Sequence, residues 1–81
     1  MWHEGSILIP VDKDDRVVCK YWVKAYDEPS EFGINDGKIS KLMIQINGKT
    51  TAEYDRGWEL EPDEKDKATQ IAYCILLYEY N

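Results

Sequence analysis

Apolar and polar positions divide the chain into four strand-like runs and one helix. The clearest run is Val17 to Tyr26. There Val17, Cys19, Tyr21, Val23 and Ala25 alternate with Val18, Lys20, Trp22, Lys24 and Tyr26. A period of two is a strand, and one face of this strand is wholly apolar. Ser6 to Val11 precedes it, across the polar turn Asp12-Lys13-Asp14-Asp15-Arg16. A five-residue loop there sets Val11 opposite Val17, Ile9 opposite Cys19 and Ile7 opposite Tyr21, so the apolar side chains share a face. A one-residue slip would mix the faces, which is costly when one is buried. An odd loop, or a bulge with the same effect, is expected.

Asp27 to Gly37 is a long connection holding Pro29, Gly33 and Gly37. Lys38 to Ile46 and Lys49 to Asp55 read as the third and fourth strands, joined at Asn47-Gly48, a strong hairpin signal. A three-residue loop with Gly48 left-handed sets Leu42 opposite Ala52, Ile44 opposite Thr50 and Lys41 opposite Glu53, the last a favourable cross-strand pair. After Arg56 to Glu61, Pro62 suits a first helical position, and Asp63, Glu64 and Asp66 suit the positive end of the helix dipole. Ala68, Ile71, Ala72, Ile75 and then Tyr78 or Glu79 form a core stripe at helical spacing. Tyr73, Leu77 and Tyr80 flank it on the other side with Leu76, so the helix reads as apolar on two sides and in need of a further cover.

These elements predict an α+β fold: a four-stranded, mainly antiparallel sheet with one C-terminal helix across one face, in two layers. The helix is expected over Tyr21, Val23, Leu42, Ile44 and Tyr54. Residues 1–81 are expected to form a single domain with 1–5 flexible.

Composition narrows the class of protein. At 43% hydrophobic and 32% charged, with six Tyr and three Trp, the chain is too apolar for a disordered one. At 81 residues it buries roughly 60–65% of its unfolded surface and builds one modest core. The net charge of −6 repels phosphate backbones, which makes nucleic acid an unfavoured partner. Glu53, Asp55, Glu59, Glu61, Asp63, Glu64 and Asp66 fall in one stretch. The readings that stand for it are a solvated acidic face, and mimicry of a phosphate backbone or docking to a basic partner. Cys19 and Cys74 each lie in an apolar run and read as buried free thiols. The first residues lack a signal-peptide pattern, and the longest apolar stretch, Ile71 to Tyr78, is far short of a membrane span. A cytoplasmic protein without a membrane partner is expected.

The chemistry-bearing motifs fail on spacing. His3 is the sole histidine, which removes the Ser-His-Asp and Cys-His nucleophile pairs, and Cys19, Cys74 and His3 lack zinc-ligand spacing. Asp12-Lys13-Asp14 opens like a calcium loop, but Val17 and Val23 stand where an EF-hand needs Gly and Glu. No glycine-rich phosphate loop is present. The reading is a non-enzymatic domain with no catalytic, metal or cofactor-binding residues.

What remains is surface. The sheet face away from the helix interleaves Lys20, Trp22, Lys24, Tyr26, Ile39, Lys41 and Met43 with Leu8 and Val18. Three readings stand: Lys stems lying over aromatic rings on an ordinary face, a protein-protein or homodimer patch, and a base-stacking, phosphate-holding face. Tyr73, Leu77 and Tyr80 extend the candidate interaction surface onto the helix. Two loops are candidate functional loops: Ser30, Glu31 and Phe32 in the long connection, and Asp55, Arg56 and Trp58 at the strand-to-helix corner. Their plain readings are a connection plugged into the core edge by Phe32 and Ile34, and a corner capped by Trp58.

Tyr21-Trp22-Val23-Lys24, Pro29-Ser30-Glu31-Phe32-Gly33-Ile34, Gly37-Lys38-Ile39-Ser40-Lys41-Leu42 and Tyr54-Asp55-Arg56-Gly57-Trp58 together resemble a family of small uncharacterised bacterial proteins carried by phages and other mobile elements. The resemblance covers nearly the whole chain. It implies a compact single domain with no catalytic residues to carry over, and a role in host or element interactions. The leading expectation is a self-associating interaction module with a protein partner. A nucleic-acid binder using Lys20, Trp22, Lys24 and Lys41, or an acidic mimic, is the alternative.

Overall fold

The alternation of apolar side chains does build a sheet with one apolar face, and it runs further than the first residues suggest. A computed structural model describes residues 1–81. Its strands are β1 (Trp2–Pro10), β2 (Arg16–Ala25), β3 (Ile39–Ile46), β4 (Lys49–Asp55) and β5 (Trp58–Leu60), followed by helix α1 (Lys67–Tyr80). They form an antiparallel sheet in the order β1-β2-β3-β4-β5. The fold is α+β as expected, with five strands instead of four. The added strand, β5, is only three residues long and carries Glu59, which hides it from a pattern of apolar alternation.

The segment expected to be flexible, 1–5, lies in β1 from Trp2 onward, with His3 opposite Val23 and Gly5 opposite Tyr21. Gly5 leaves room there for the Tyr21 ring. A Cβ at this position would fall 2.5 Å from the Tyr21 hydroxyl, because the Tyr21 ring folds across it.

The β1–β2 loop has the expected odd length and keeps the apolar residues on one face. It spans Val11 to Asp15, one residue earlier than expected, so Ile9 faces Val17 and Ile7 faces Cys19. The β3–β4 turn corrects the expected three-residue loop. Ile46 faces Lys49, and Asn47 (φ 50°) and Gly48 (φ 85°) make a two-residue turn of the primed kind. Thr51 is then bulged out between Thr50 and Ala52, which restores the shared face, and Lys41 meets Asp55 where Glu53 was expected.

On the covered face, His3, Val23, Leu42, Tyr54 and Trp58 form one row, and Gly5, Tyr21, Ile44 and Ala52 form the next. The core is Ile9, Cys19, Val23, Ile34, Ile39, Leu42, Ile44, Ala52, Tyr54, Ala68, Ala72 and Leu76. Tyr21, Val23, Leu42, Ile44 and Tyr54 thus carry the helix side of the sheet, as expected.

The helix differs in start and in roll. Pro62 precedes it, and Asp66 is the N-cap, accepting from the Thr69 N–H at 3.1 Å. Thr69 is wholly buried. Its hydroxyl donates to the Asp66 carboxylate at 2.7 Å and lies 2.7 Å from the Thr51 hydroxyl on β4. With its polar atom satisfied, Thr69 joins Ala68, Ala72 and Leu76 as the buried stripe. That rolls the expected Ile75 and Tyr78 outward, Tyr78 to 90% exposure. Cys74, expected buried, is exposed with them.

At its other end the helix is latched to the β2–β3 connection. The Asn81 side-chain amide donates to the Ile34 carbonyl at 3.0 Å, and its oxygen accepts from the Ile39 N–H at 3.0 Å. Asn81→Ala leaves the Ile39 N–H without its partner and removes one of the two donors to the Ile34 carbonyl, which keeps the Gly37 N–H. It is expected to cost about 1–3 kcal/mol of unfolding free energy in urea titration, with the native circular dichroism retained.

Candidate interaction surface on the open sheet face

No element of the chain covers the second face of the sheet. Pairing places its residues in rows: Trp2, Lys24, Lys41 and Asp55; then Glu4, Trp22, Met43, Glu53 and Leu60; then Ser6, Lys20, Gln45 and Thr50. Between the first two rows lies a hollow of about 310 Å³, walled by Trp2 and Trp22, with Met43 beneath and Lys41, Glu53 and Asp55 at its rim. Trp22 also walls a second hollow, with Glu4, Ser6 and Lys20.

The charges on this face are largely committed. Lys41 Nζ pairs with Asp55 Oδ1 at 3.8 Å, both half exposed to water, so the pair contributes little stability but neutralises both groups locally. Lys24 Nζ sits 5.9 Å from the Trp2 ring centre and 5.4 Å from that of Tyr26. Hydrogen bonding and then charge from Lys24 lower the Tyr26 phenol below its ordinary value. Lys20 and Glu53 make no ion pair within 4 Å. Three lysines on the face meet three carboxylates, Glu4, Glu53 and Asp55, so the face is amphoteric rather than basic.

Lys20, Trp22, Lys24, Lys41 and Met43 lie on this face as read from the sequence, and Tyr26 lies exposed just beyond the end of β2. Ile39 does not. Ser40 is an extra residue between the pairs Lys24–Lys41 and Ala25–Ile39, so Ile39 turns to the core and is wholly buried. Trp2 and Glu4 belong to the face and were missed. The alternation of Trp2, Glu4, Ser6 and Leu8 signals it, but Gly5 interrupts the apolar side of the same run.

Tyr73, Leu77 and Tyr80, read from the sequence as candidate surface on the helix, are partly buried and pack one side against the core. Burial pushes the Tyr73 phenol up, and its ring meets Trp58 edge-on at 5.5 Å, while Trp58 meets Tyr54 edge-on at 5.0 Å. Tyr80 stacks on His3 at 4.5 Å, and its hydroxyl is 3.5 Å from that of Tyr21. The hydrogen bond to Tyr21 and then burial push its phenol up to about 12.

The two candidate loops meet at one end of the sheet. The Ser30 hydroxyl accepts from the Phe32 N–H at 3.2 Å, and the Phe32 carbonyl accepts from the Tyr54 hydroxyl at 2.8 Å. Ile34 plugs the core as expected, but Phe32 and Glu31 are exposed. Arg56 takes a left-handed backbone (φ 59°), and its N–H donates to the Ser40 carbonyl at 2.9 Å. Trp58 caps the corner between Tyr54 and Tyr73. No group of three His, Cys, Asp or Glu side chains is placed to hold a metal ion. No helix is long and apolar enough to cross a membrane.

The chain belongs to the family of a domain of unknown function, DUF7678. The family's domain matches residues 1–81. No curated protein and no solved structure matches the chain. Membership carries no residue roles, so the surface chemistry above is what bears on function.

Two expectations follow. In the native protein Cys74 reacts with a thiol reagent, while Cys19, buried and with its thiol pushed up, reacts only on unfolding. A double stoichiometry in native buffer contradicts this. Neutral Tyr80 contributes stability that is full below its ordinary value of 10.0 and is lost as pH rises toward about 12. Urea midpoints across that range should fall more steeply in the parent protein than in Tyr80→Phe; equal slopes contradict it.

Proposed function

We propose that this domain is a non-enzymatic interaction module that self-associates and recognises a protein partner through its open sheet face. The observation that carries the reading is the hollow between Trp2 and Trp22, floored by Met43 and rimmed by charged groups. Its volume of about 310 Å³ is at the lower end of binding pockets, too small for a large cofactor. Aromatic walls with a polar rim are the anatomy of an interface anchor point. Trp2, Leu8, Val18 and Leu60 add exposed apolar surface on the same side of the sheet, which supports association. A bacterial or phage-borne origin, with a role in host or element interactions, is the setting this reading suits.

The amphoteric face argues against a phosphate-binding role, since Lys41 is neutralised by Asp55 and Lys24 lies against aromatic rings. Mimicry is also weakened, because Asp66 caps the helix and Asp55 holds Lys41, which breaks the acidic stretch into separate local duties.

Light scattering across the micromolar range should read a mass above that of one chain. A monomer at every concentration sinks the self-association. Titration with single-stranded oligonucleotide at low salt should show no binding. Binding that weakens steeply with added salt would replace this reading with the nucleic-acid one.

A further inference from the structure

The sheet has two edges, and they are treated differently. β5 is three residues long, carries Glu59 and is followed by Glu61 and Pro62. These are the usual means of blunting an edge. β1 is nine residues long and pairs with β2 without a register shift, so it has no bulge. It has no lysine, and Glu4 is its only carboxylate.

We propose that two copies of this chain join through β1, antiparallel about Ser6, into one continuous sheet. The inference rests on the self-association proposed above and assigns it to a backbone edge.

The hydrogen-bond parity of β1 carries the assignment. The Met1 amine donates to the Ala25 carbonyl at 2.9 Å, and the Ala25 N–H donates to the Met1 carbonyl at 3.0 Å. Bonded pairs alternate along an antiparallel ladder. His3, Gly5, Ile7 and Ile9 therefore turn their backbone groups to β2, and Trp2, Glu4, Ser6, Leu8 and Pro10 turn theirs outward. Pro10 fits this: its missing N–H falls on the outward side, where no bond to β2 is lost.

Ser6 is both an outward residue and the midpoint of Trp2–Pro10. A two-fold axis there sets Ser6 opposite Ser6, Glu4 opposite Leu8 and Trp2 opposite Pro10 of the second copy. Outward groups then meet along the full strand, except that the Trp2 carbonyl faces Pro10, which has no N–H to donate. An axis at Gly5 or Ile7 also pairs outward groups, but over a shorter ladder, residues 2–8 or 4–10 of the strand. An axis at Glu4 puts two carboxylates face to face, which is destabilising. An axis at Leu8 shortens the ladder and spends a Ser6 pairing on Pro10.

Charge also fits the Ser6 axis. Ser6 faces Lys20 and Pro10 faces Arg16 within one copy. In the joined sheet Glu4 therefore sits beside Leu8 of the second copy, with no carboxylate opposite it and with Lys20 and Arg16 two strands away on the same face. The chain's net charge of −6 comes mainly from acids elsewhere, and repulsion beyond about 8–10 Å is screened at ordinary salt.

Amide exchange followed by NMR tests this at a concentration where scattering reads a dimer. The Glu4, Ser6 and Leu8 amides should be protected, although none has a partner within one chain. Ser6→Lys, which opposes two cations at the axis, should return the mass to one chain and remove that protection, with circular dichroism unchanged. A dimer in which these three amides exchange freely overturns the edge and leaves self-association standing. A monomer at all concentrations overturns both. A second test uses a Cys74→Ser background. There Ser6→Cys should oxidise to a covalent dimer, since bonded pairs sit about 5.5 Å apart at Cα, within disulfide reach. Glu4→Cys, facing Leu8, should not. A cross-link in neither variant, or equally in both, overturns the axis.

Discussion

The constraint on which this structure depends is that one apolar face stays continuous across five strands. Side chains alternate strictly along a strand, so any odd offset between neighbours would exchange core and solvent. Three register shifts absorb such offsets, at Lys24/Ala25, Ile44/Gln45 and Glu53/Tyr54. The extra residues, Ser40, Thr51 and Glu59, each have a consequence. Ser40 sends Ile39 into the core and offers its carbonyl to Arg56. Thr51 reconciles the tight Asn47-Gly48 turn with the pairing of Ile44 and Ala52, and places its hydroxyl against Thr69. The bulges are therefore what the helix and the loops are built upon.

The helix is held at both ends by polar side chains, not by its apolar stripe alone. Asp66, Thr69 and Thr51 form a closed set of hydrogen bonds at its start, and Asn81 ties its end to Ile34 and Ile39. These ends set the roll of the helix. They bring Tyr80 onto His3 and Tyr73 onto Trp58, which closes the two flanks of the core with aromatic rings. The exposed Tyr78 and Ile75 are the other side of the same choice.

Much of the fold was legible in the residue pattern, and the parts that were not share a cause. The alternation in Val17 to Tyr26 assigned both faces of β2 correctly, and matching of apolar faces gave the right parity of the β1–β2 loop and of β3 with β4. The parity between β3 and β4 is achieved by a tight turn with a bulge, where a longer loop satisfies the same pattern. Matching faces cannot separate the two. The helix roll was misread because Thr69 is polar by type, while its hydroxyl is satisfied locally by Asp66 and Thr51. β5 and the start of β1 were missed because Glu59 and Gly5 break an apolar count. For the open face, Trp22, Lys24, Lys41 and Met43 were placed correctly from alternation alone. The pairings that neutralise Lys41 and seat Lys24 depend on the cross-strand register and on Trp2, neither of which alternation supplies.

Every strand in this sheet pairs with its neighbours in the chain, so no pairing spans more than the β2–β3 connection. Local pairings of this kind form early and quickly relative to distant ones. The contact of His3 with Tyr80, by contrast, joins opposite ends of the chain. The sheet is thus built from neighbouring strands, and the helix is what ties the two ends of the chain together. Without the helix, the row from Val23 through Leu42 to Tyr54 would face water, and the sheet would be bare on both of its faces.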